Sequence, residues 1–287
     1  MNTDAIIEHY TAEDEGARLT ASPHGRLELA RTKELLCRLL PPAPATVLDV
    51  GGATGVYAGW LASLGHRVHV VDLVPAHVEH AAALPGVTAA LGDARALDAP
   101  DASVDAVLLF GPLYHLTERS ARLRALREAR RVARAAGVVA GAVISRYASL
   151  LDFTRCGDLD ADRLARIMRT VETGRHDGRI GFMETHFHTG PEVAGEFADA
   201  GLSDPLVYGI EGPAWTAASA AARTLRADAI RAGELPAPLT DEHAQAVFDS
   251  ALLAARAVER DPAMHPANAH LLIAAHATGH GPGRQRA

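Results

Sequence analysis

The sequence predicts an α/β fold built on a seven-stranded, mostly parallel sheet with helices on both faces. Two observations carry that prediction. Residues 46–72 read as strand, glycine turn, helix, strand and acid in immediate succession. Beyond them, short apolar runs alternate with helix-like segments as far as His270, the pattern of an α/β sheet rather than of a bundle or a sandwich.

The first unit is the most informative. Val47, Leu48 and Val50 form an apolar β-run, bounded upstream by Pro41, Pro42 and Pro44. Asp49 sits near its end, and Gly51, Gly52 and Gly55 follow as a tight turn. Val56 to Leu64 suits a helix stopped by Gly65, and a second run, Val68 to Val71, ends at Asp72. Glycines let a backbone approach a ligand closely, and an acid at the end of the second strand can hold two ribose hydroxyls.

A dinucleotide site needs G-x-G-x-x-G, so that a pyrophosphate rests on a helix N-terminus. The frame from Gly51 gives Gly51, Ala53, Val56; the frame from Gly52 gives Gly52, Thr54, Tyr57. Neither fits, and Asp49 beside the turn suits an ammonium better than a pyrophosphate. The stretch instead resembles the first motif of class I S-adenosylmethionine (SAM) dependent methyltransferases, acid-x-Gly-x-Gly-x-Gly. Asp49, Gly51 and Gly55 match it, and Ala53 stands in place of the middle glycine. The resemblance implies a Rossmann-like sheet of order 3-2-1-4-5-7-6 with its seventh strand antiparallel, and SAM as cofactor.

The rest of the chain is read against that plan. Residues 1–40 are expected to form a helical cap before the methyltransferase domain at 41–287. Ile6, Ile7 and Tyr10 suit a short helix, and Leu27, Ala30, Leu35, Leu36, Leu39 and Leu40 an amphipathic one. In similar methyltransferases such a segment closes over the cofactor, which places Tyr10 there. Pro75 opens a helix to Leu84. Val87 to Leu91 is a third strand ending at Asp93 and Ala94, where the resemblance implies an acid for the adenine amino group. Val104 to Phe110 is a near-continuous apolar run, as expected of a central parallel strand. The implied cofactor set is Tyr10, Asp49, Gly51, Gly52, Ala53, Gly55, Asp72, Leu73, Asp93, Ala94, Phe110, Gly111 and His115.

Gly111 to Leu116 (GPLYHL) resembles a Gly-x-Leu-Tyr-His-Leu stretch of small-molecule methyltransferases. His115 there can accept a proton from a hydroxyl or amine, and it can equally pack on the cofactor. Thr117 is expected to cap a helix from Glu118 to Ala136. Its arginines 124, 127, 130, 131 and 134 fall on one arc, which reads as a solvated face in preference to an RNA surface. A fifth strand is expected over Val138 to Ser145, then a helix over Leu159 to Val171.

Residues 146–189 and 213–265 are expected to be lid insertions. His186 and His188 share one side of a strand and either line the pocket or meet solvent while Phe187 packs; no metal is expected, since His176 is not placed as a third ligand. Pro191 to Ala200 suits a helix, Leu206 to Ile210 the sixth strand, and Glu211 and Trp215 possible substrate contacts. Two alanine-rich helices (214–232 and 240–260), a seventh strand (His270 to Ala275) and a flexible tail complete the reading. The catalytic candidates are His115, Glu211 and His186.

Composition narrows the partners. A net charge of −7 argues against a nucleic-acid backbone. No apolar run approaches a membrane span, no signal peptide precedes Asp4, and Cys37 and Cys156 form no motif, so a cytoplasmic setting is expected. The expectation is a methyltransferase acting on a small organic acceptor at O, N or C, in secondary metabolism, with a homodimer as its assembly. The alternatives are a SAM-binding regulator or scaffold without methyl transfer, and a nucleotide-dependent oxidoreductase.

Overall fold

The computed structural model describes residues 3–12, 18–20, 22–179, 183–213 and 241–278. The elements run α1 (Thr3–Ala12), α2 (Pro23–Leu39), β1 (Thr46–Val50), α3 (Val56–Ser63), β2 (Arg67–Asp72), α4 (Pro75–Ala82), β3 (Val87–Leu91), β4 (Val104–Phe110) and α5 (Pro112–His115). They continue with α6 (Arg119–Val132), β5 (Ala133–Ile144), α7 (Ala148–Cys156), α8 (Ala161–Thr173), β6 (Arg175–Asp177), β7 (Glu184–His186), α9 (Gly190–Asp199), β8 (Leu202–Gly209), α10 (Asp241–Val258) and β9 (His270–Ala277).

Seven strands form one sheet in the order β3-β2-β1-β4-β5-β9-β8, and β6 and β7 make a separate hairpin. β1 pairs in parallel with β2 and β4, while β9 runs antiparallel to both β5 and β8. Numbered by sheet strands alone, this is the expected 3-2-1-4-5-7-6 order with an antiparallel seventh strand. The central strands β1 and β4 are apolar apart from Thr46, Asp49 and Asp105, because both faces are covered. Val47, Ala106 and Leu108 enter one core with Leu35, Leu36 and Leu61, whereas Leu48, Val50, Val107 and Leu109 enter the other with Leu126, Val193 and Phe197.

Boundaries differ from the sequence expectation where backbone pairing overrides propensity. The helix expected to reach Ala136 stops at Val132, because Ala102 and Ser103 donate to the carbonyls of Arg131 and Val132 at 2.9 and 2.8 Å. Ala133 then pairs with Val104, and β5 begins five residues earlier than expected. Thr117 does not cap α6; Glu118 occupies the cap position without a side-chain bond. The arginine arc is accordingly broken: Arg134 lies on β5 and pairs with Asp105, while Arg131, still on α6, binds Glu128 and Asp101.

Helix α7 was not expected, and α8 starts after an Asp160 cap that accepts from the Arg163 N–H. β8 starts four residues early, across a register shift between Ser203 and Leu206. Trp215, the 214–232 helix and the expected tail lie outside the described residues. Among the described residues no helix is long and apolar enough to cross a membrane.

Candidate active site

A cleft opens at the C-terminal ends of β1, β2 and β4, the edge at which parallel sheets of this type receive ligands. Its empty space is about 660 Å³, open mouth included. Its floor is the glycine turn, whose conformation is fixed by its neighbours. Gly51 has φ +72° and its N–H donates to the Val71 carbonyl at 2.7 Å. A Cβ on Gly51 would lie 2.6 Å from Pro112 Cδ, and one on Gly52 would lie 2.7 Å from the Asp49 carboxylate. The turn therefore runs tight against both the acid below it and the β4–α5 loop beside it.

Asp49 is fully buried, and neither of its oxygens has a hydrogen-bond partner among the described residues. Burial first, and the charge of Asp72 second, push its carboxyl up to about 7. A carboxylate left bare at this depth is costly unless a cation or donor meets it. Asp72 is held firmly: Oδ2 accepts the Ala53 N–H at 3.0 Å, and Oδ1 accepts the Val74 N–H at 2.9 Å. His77 Nδ1 lies 3.3 Å from Oδ1. Oδ2, with one partner, retains room for a further donor, whereas Oδ1 already meets two.

Asp93, Leu73, Ala94, Phe110 and Gly111 also line the cleft. Asp93 is gripped by Arg95, with contacts of 2.5 to 3.1 Å, and this pairing holds its carboxyl below the usual range.

The roof is α1. Ile6 and Tyr10 line the cleft, and the Tyr10 hydroxyl is 2.8 Å from His115 Nε2. His115 is buried on α5, and desolvation pushes its imidazole down to about 4, so it is neutral at physiological pH.

Residues 47–137 match the family model described as a methyltransferase domain. The chain carries a class I SAM-dependent methyltransferase fold. An uncharacterized methyltransferase of Mycobacterium tuberculosis is 39% identical over 100 residues, a match covering 34% of this chain and 40% of the relative. The chain thus matches less than half the length of that curated relative.

Among solved structures, a SAM-dependent methyltransferase of Thermotoga maritima, titled a possible histamine N-methyltransferase, aligns over 96% of this chain and 99% of its own. Its TM-score is 0.56 at 16% identity. A putative methyltransferase of Haloferax volcanii, solved with the Trm112 methyltransferase activator, aligns over 96% and 98% with a TM-score of 0.55 at 20% identity. At such identities these two structures speak to the fold alone.

The structure brings most of the expected cofactor residues of the methyltransferase fold to one cleft: Tyr10, Gly51, Ala53, Asp72, Leu73, Asp93, Ala94, Phe110, Gly111 and His115 all line it. Asp49, Gly52 and Gly55 lie behind that surface. Gly55 faces Leu84, whose Cδ1 would be 2.7 Å from an added Cβ. Sequence reasoning missed His77, which the start of α4 folds back over Asp72, and the apolar wall of Ile6, Val74 and Leu116.

The other candidates lie elsewhere. His186 and His188 do not line the cleft. They form a buried pair with ring centroids 4.5 Å apart, His186 Nε2 is 2.8 Å from Glu192, and His188 faces Glu196 at 3.5 Å. The expectation that they meet pocket or solvent is corrected by that network, which Arg122 completes with a fork on Glu196 at 2.7 to 3.1 Å. His176 stacks on Phe187 instead of joining them. Glu211 is buried beyond the cleft, against His270.

Proposed function

We propose that the cleft binds SAM and that the chain transfers its methyl group to a small organic acceptor. The observation that carries this reading is Asp49: a fully buried carboxylate without a hydrogen-bond partner among the described residues, directly beneath the glycine turn and next to a second acid. The donor set fits SAM and not a pyrophosphate, since the ammonium of the methionine part would supply the missing counter-charge.

In this reading Asp49 acts from beneath the turn as the counter-charge to the ammonium end, and Asp72, oriented by the Ala53 and Val74 amides, accepts from the ribose hydroxyls. Leu73 and Ala94 flank the adenine, with Asp93 at its edge. Tyr10, latched to His115, covers the site and excludes water. Bound SAM supplies a methyl already activated by its sulfonium, so positioning of an acceptor at near-contact distance contributes much of the rate. The acceptor, a cytoplasmic setting and a place in secondary metabolism belong to the same proposal.

Calorimetry with SAM, S-adenosylhomocysteine and NAD tests the reading. Binding of the first two without the third is expected. NAD binding without SAM binding would overturn it, and SAM binding without turnover over a broad acceptor panel would favour a regulator or scaffold.

A further inference from the structure

A second cavity, with about 740 Å³ of empty space including its opening, adjoins the cleft. Tyr10, Phe110 and Tyr114 line both, so three aromatic side chains border the junction of the two spaces. Tyr57 adds a fourth ring, and Ala142 and Ile144 of β5 add apolar floor. The cavity is therefore shaped for a largely apolar molecule set against the cleft. Its polar lining is Arg18, Glu28, Thr32 and His270.

His270 is the first residue of β9. Because β9 runs antiparallel to β5 and pairs Ile144 with His270, its start lies at the same sheet edge as the ends of the parallel strands. Glu211 follows β8 and is buried behind the ring. It accepts from the His270 backbone N–H at 3.1 Å and meets Nδ1 at 2.5 Å.

A carboxylate on Nδ1 fixes the tautomer with its proton there and leaves Nε2 as the acceptor, which is how a base is oriented. Nε2 makes no hydrogen bond to the described residues and is not sealed from solvent. The charged groups facing the ring are Glu211, Glu28 (3.6 Å from Nδ1) and Arg18, which grips Glu28 at 3.0 and 3.1 Å; His24 faces the two carboxylates. Burial pulls the His270 pKa down, but Glu28 and Glu211 together outweigh it and raise the pKa above its ordinary value. His115, by contrast, is engaged by Tyr10 and held weakly basic by burial.

We propose that this second cavity takes a phenol or alcohol acceptor, and that His270, oriented by Glu211, is the base that removes its proton. The inference rests on the methyl-transfer reading above. The acceptor O–H proton moves to His270 Nε2 while an oxygen lone pair forms the new bond to the methyl carbon. The carbon–sulfur bond breaks with its electron pair going to sulfur. The products are a methyl ether, S-adenosylhomocysteine and an imidazolium that returns its proton to water.

The test uses the full chain with SAM and three probes, phenol, catechol and 2-naphthol, with the methyl ether detected by mass. At least one probe should be methylated. His270→Gln should lower kcat ~100-fold or more, with SAM affinity unchanged by calorimetry and the acidic limb of the pH profile gone.

Glu211→Gln should act more mildly and shift that limb to lower pH, since losing the carboxylate lowers the imidazole pKa. NMR titration of His270 should show the same downward shift without any turnover, and His270→Asn with a thermal melt guards against misfolding. The proposal is overturned if SAM binds but no probe yields an ether, if His270→Gln keeps its rate within threefold, or if the His270 titration ignores Glu211→Gln. Failure of SAM to bind would instead defeat the cofactor reading.

Discussion

Replacing Asp49 with asparagine separates the stability of the chain from its affinity for ligand, and the two should move in opposite directions. The carboxyl titrates near 3.8 in an unfolded chain and is raised to about 7 in the folded one, first by burial and then by Asp72. The folded state thus holds a proton that the unfolded state has released between those values. Stability contributed by this group falls as pH rises through that window.

A shift of roughly three units corresponds to about 4 kcal/mol at high pH, and to a change of about 2–3 kcal/mol between pH 5 and pH 8. Asparagine does not titrate, so whatever its fixed cost, the difference between the two proteins should change by that amount over the interval. Urea denaturation of both at pH 5 and pH 8 measures it. Saturating S-adenosylhomocysteine, which carries the same ammonium, should stabilise the parent far more than the variant. Two pH curves that stay parallel within about 1 kcal/mol would refute the buried, unpartnered acid, and equal stabilisation by the ligand would refute its role.

The remaining expectations are smaller. Ala53 adopts φ +48°, a region that favours glycine, so Ala53→Gly should be tolerated, raise stability by up to ~1 kcal/mol and bind SAM at least as well, read by thermal melts and calorimetry. Tyr10→Phe removes the 2.8 Å latch to His115 and should weaken SAM by about two- to tenfold; an unchanged dissociation constant would mean α1 does not close on the cofactor. Asp72→Asn should cost ten- to a hundredfold in SAM affinity, roughly 1.5–3 kcal/mol, whereas Asp93→Ala should cost under about threefold because Arg95 already uses its oxygens. Equal losses at the two acids would contradict that distinction.

What the sequence made legible was local. Val47 to Val50 and Val104 to Phe110 are buried on both faces, so their apolar runs declare strands without help from any partner. The glycine turn and Asp72 lie within 22 residues of each other, and their spacing alone assembles the cleft floor. The end of α6 was not legible, because the alanine- and arginine-rich stretch through Ala136 suits a helix until Ala102 and Ser103 arrive to pair with its end.

Contacts across long separations were least visible. Tyr10 and His115 are 105 residues apart, Glu211 and His270 are 59 apart, and Arg122 and Glu196 are 74 apart. Two-residue strand spacing put His186 and His188 on the candidate list, and a place just after a strand put Glu211 there. Only the arrival of α9 turns the two histidines inward, onto Glu192 and Glu196.

The charge arrangement of the cleft explains why the acid-x-Gly pattern carried more information than the missing glycine. Burial and the charge of Asp72 raise the energy of the Asp49 charge, and His115 is neutral at physiological pH. Neither lysine nor arginine lines the cleft among the described residues. A pyrophosphate entering there would add negative charge to an uncompensated pair, while a ligand with an ammonium and a sulfonium would cancel it. Ala53 disturbs none of this, because its contribution is a backbone N–H to Asp72 that any residue able to hold the turn supplies. If the cleft binds SAM as proposed, the middle glycine of the motif is a conformational convenience in this chain, and the two acids are the chemical requirement.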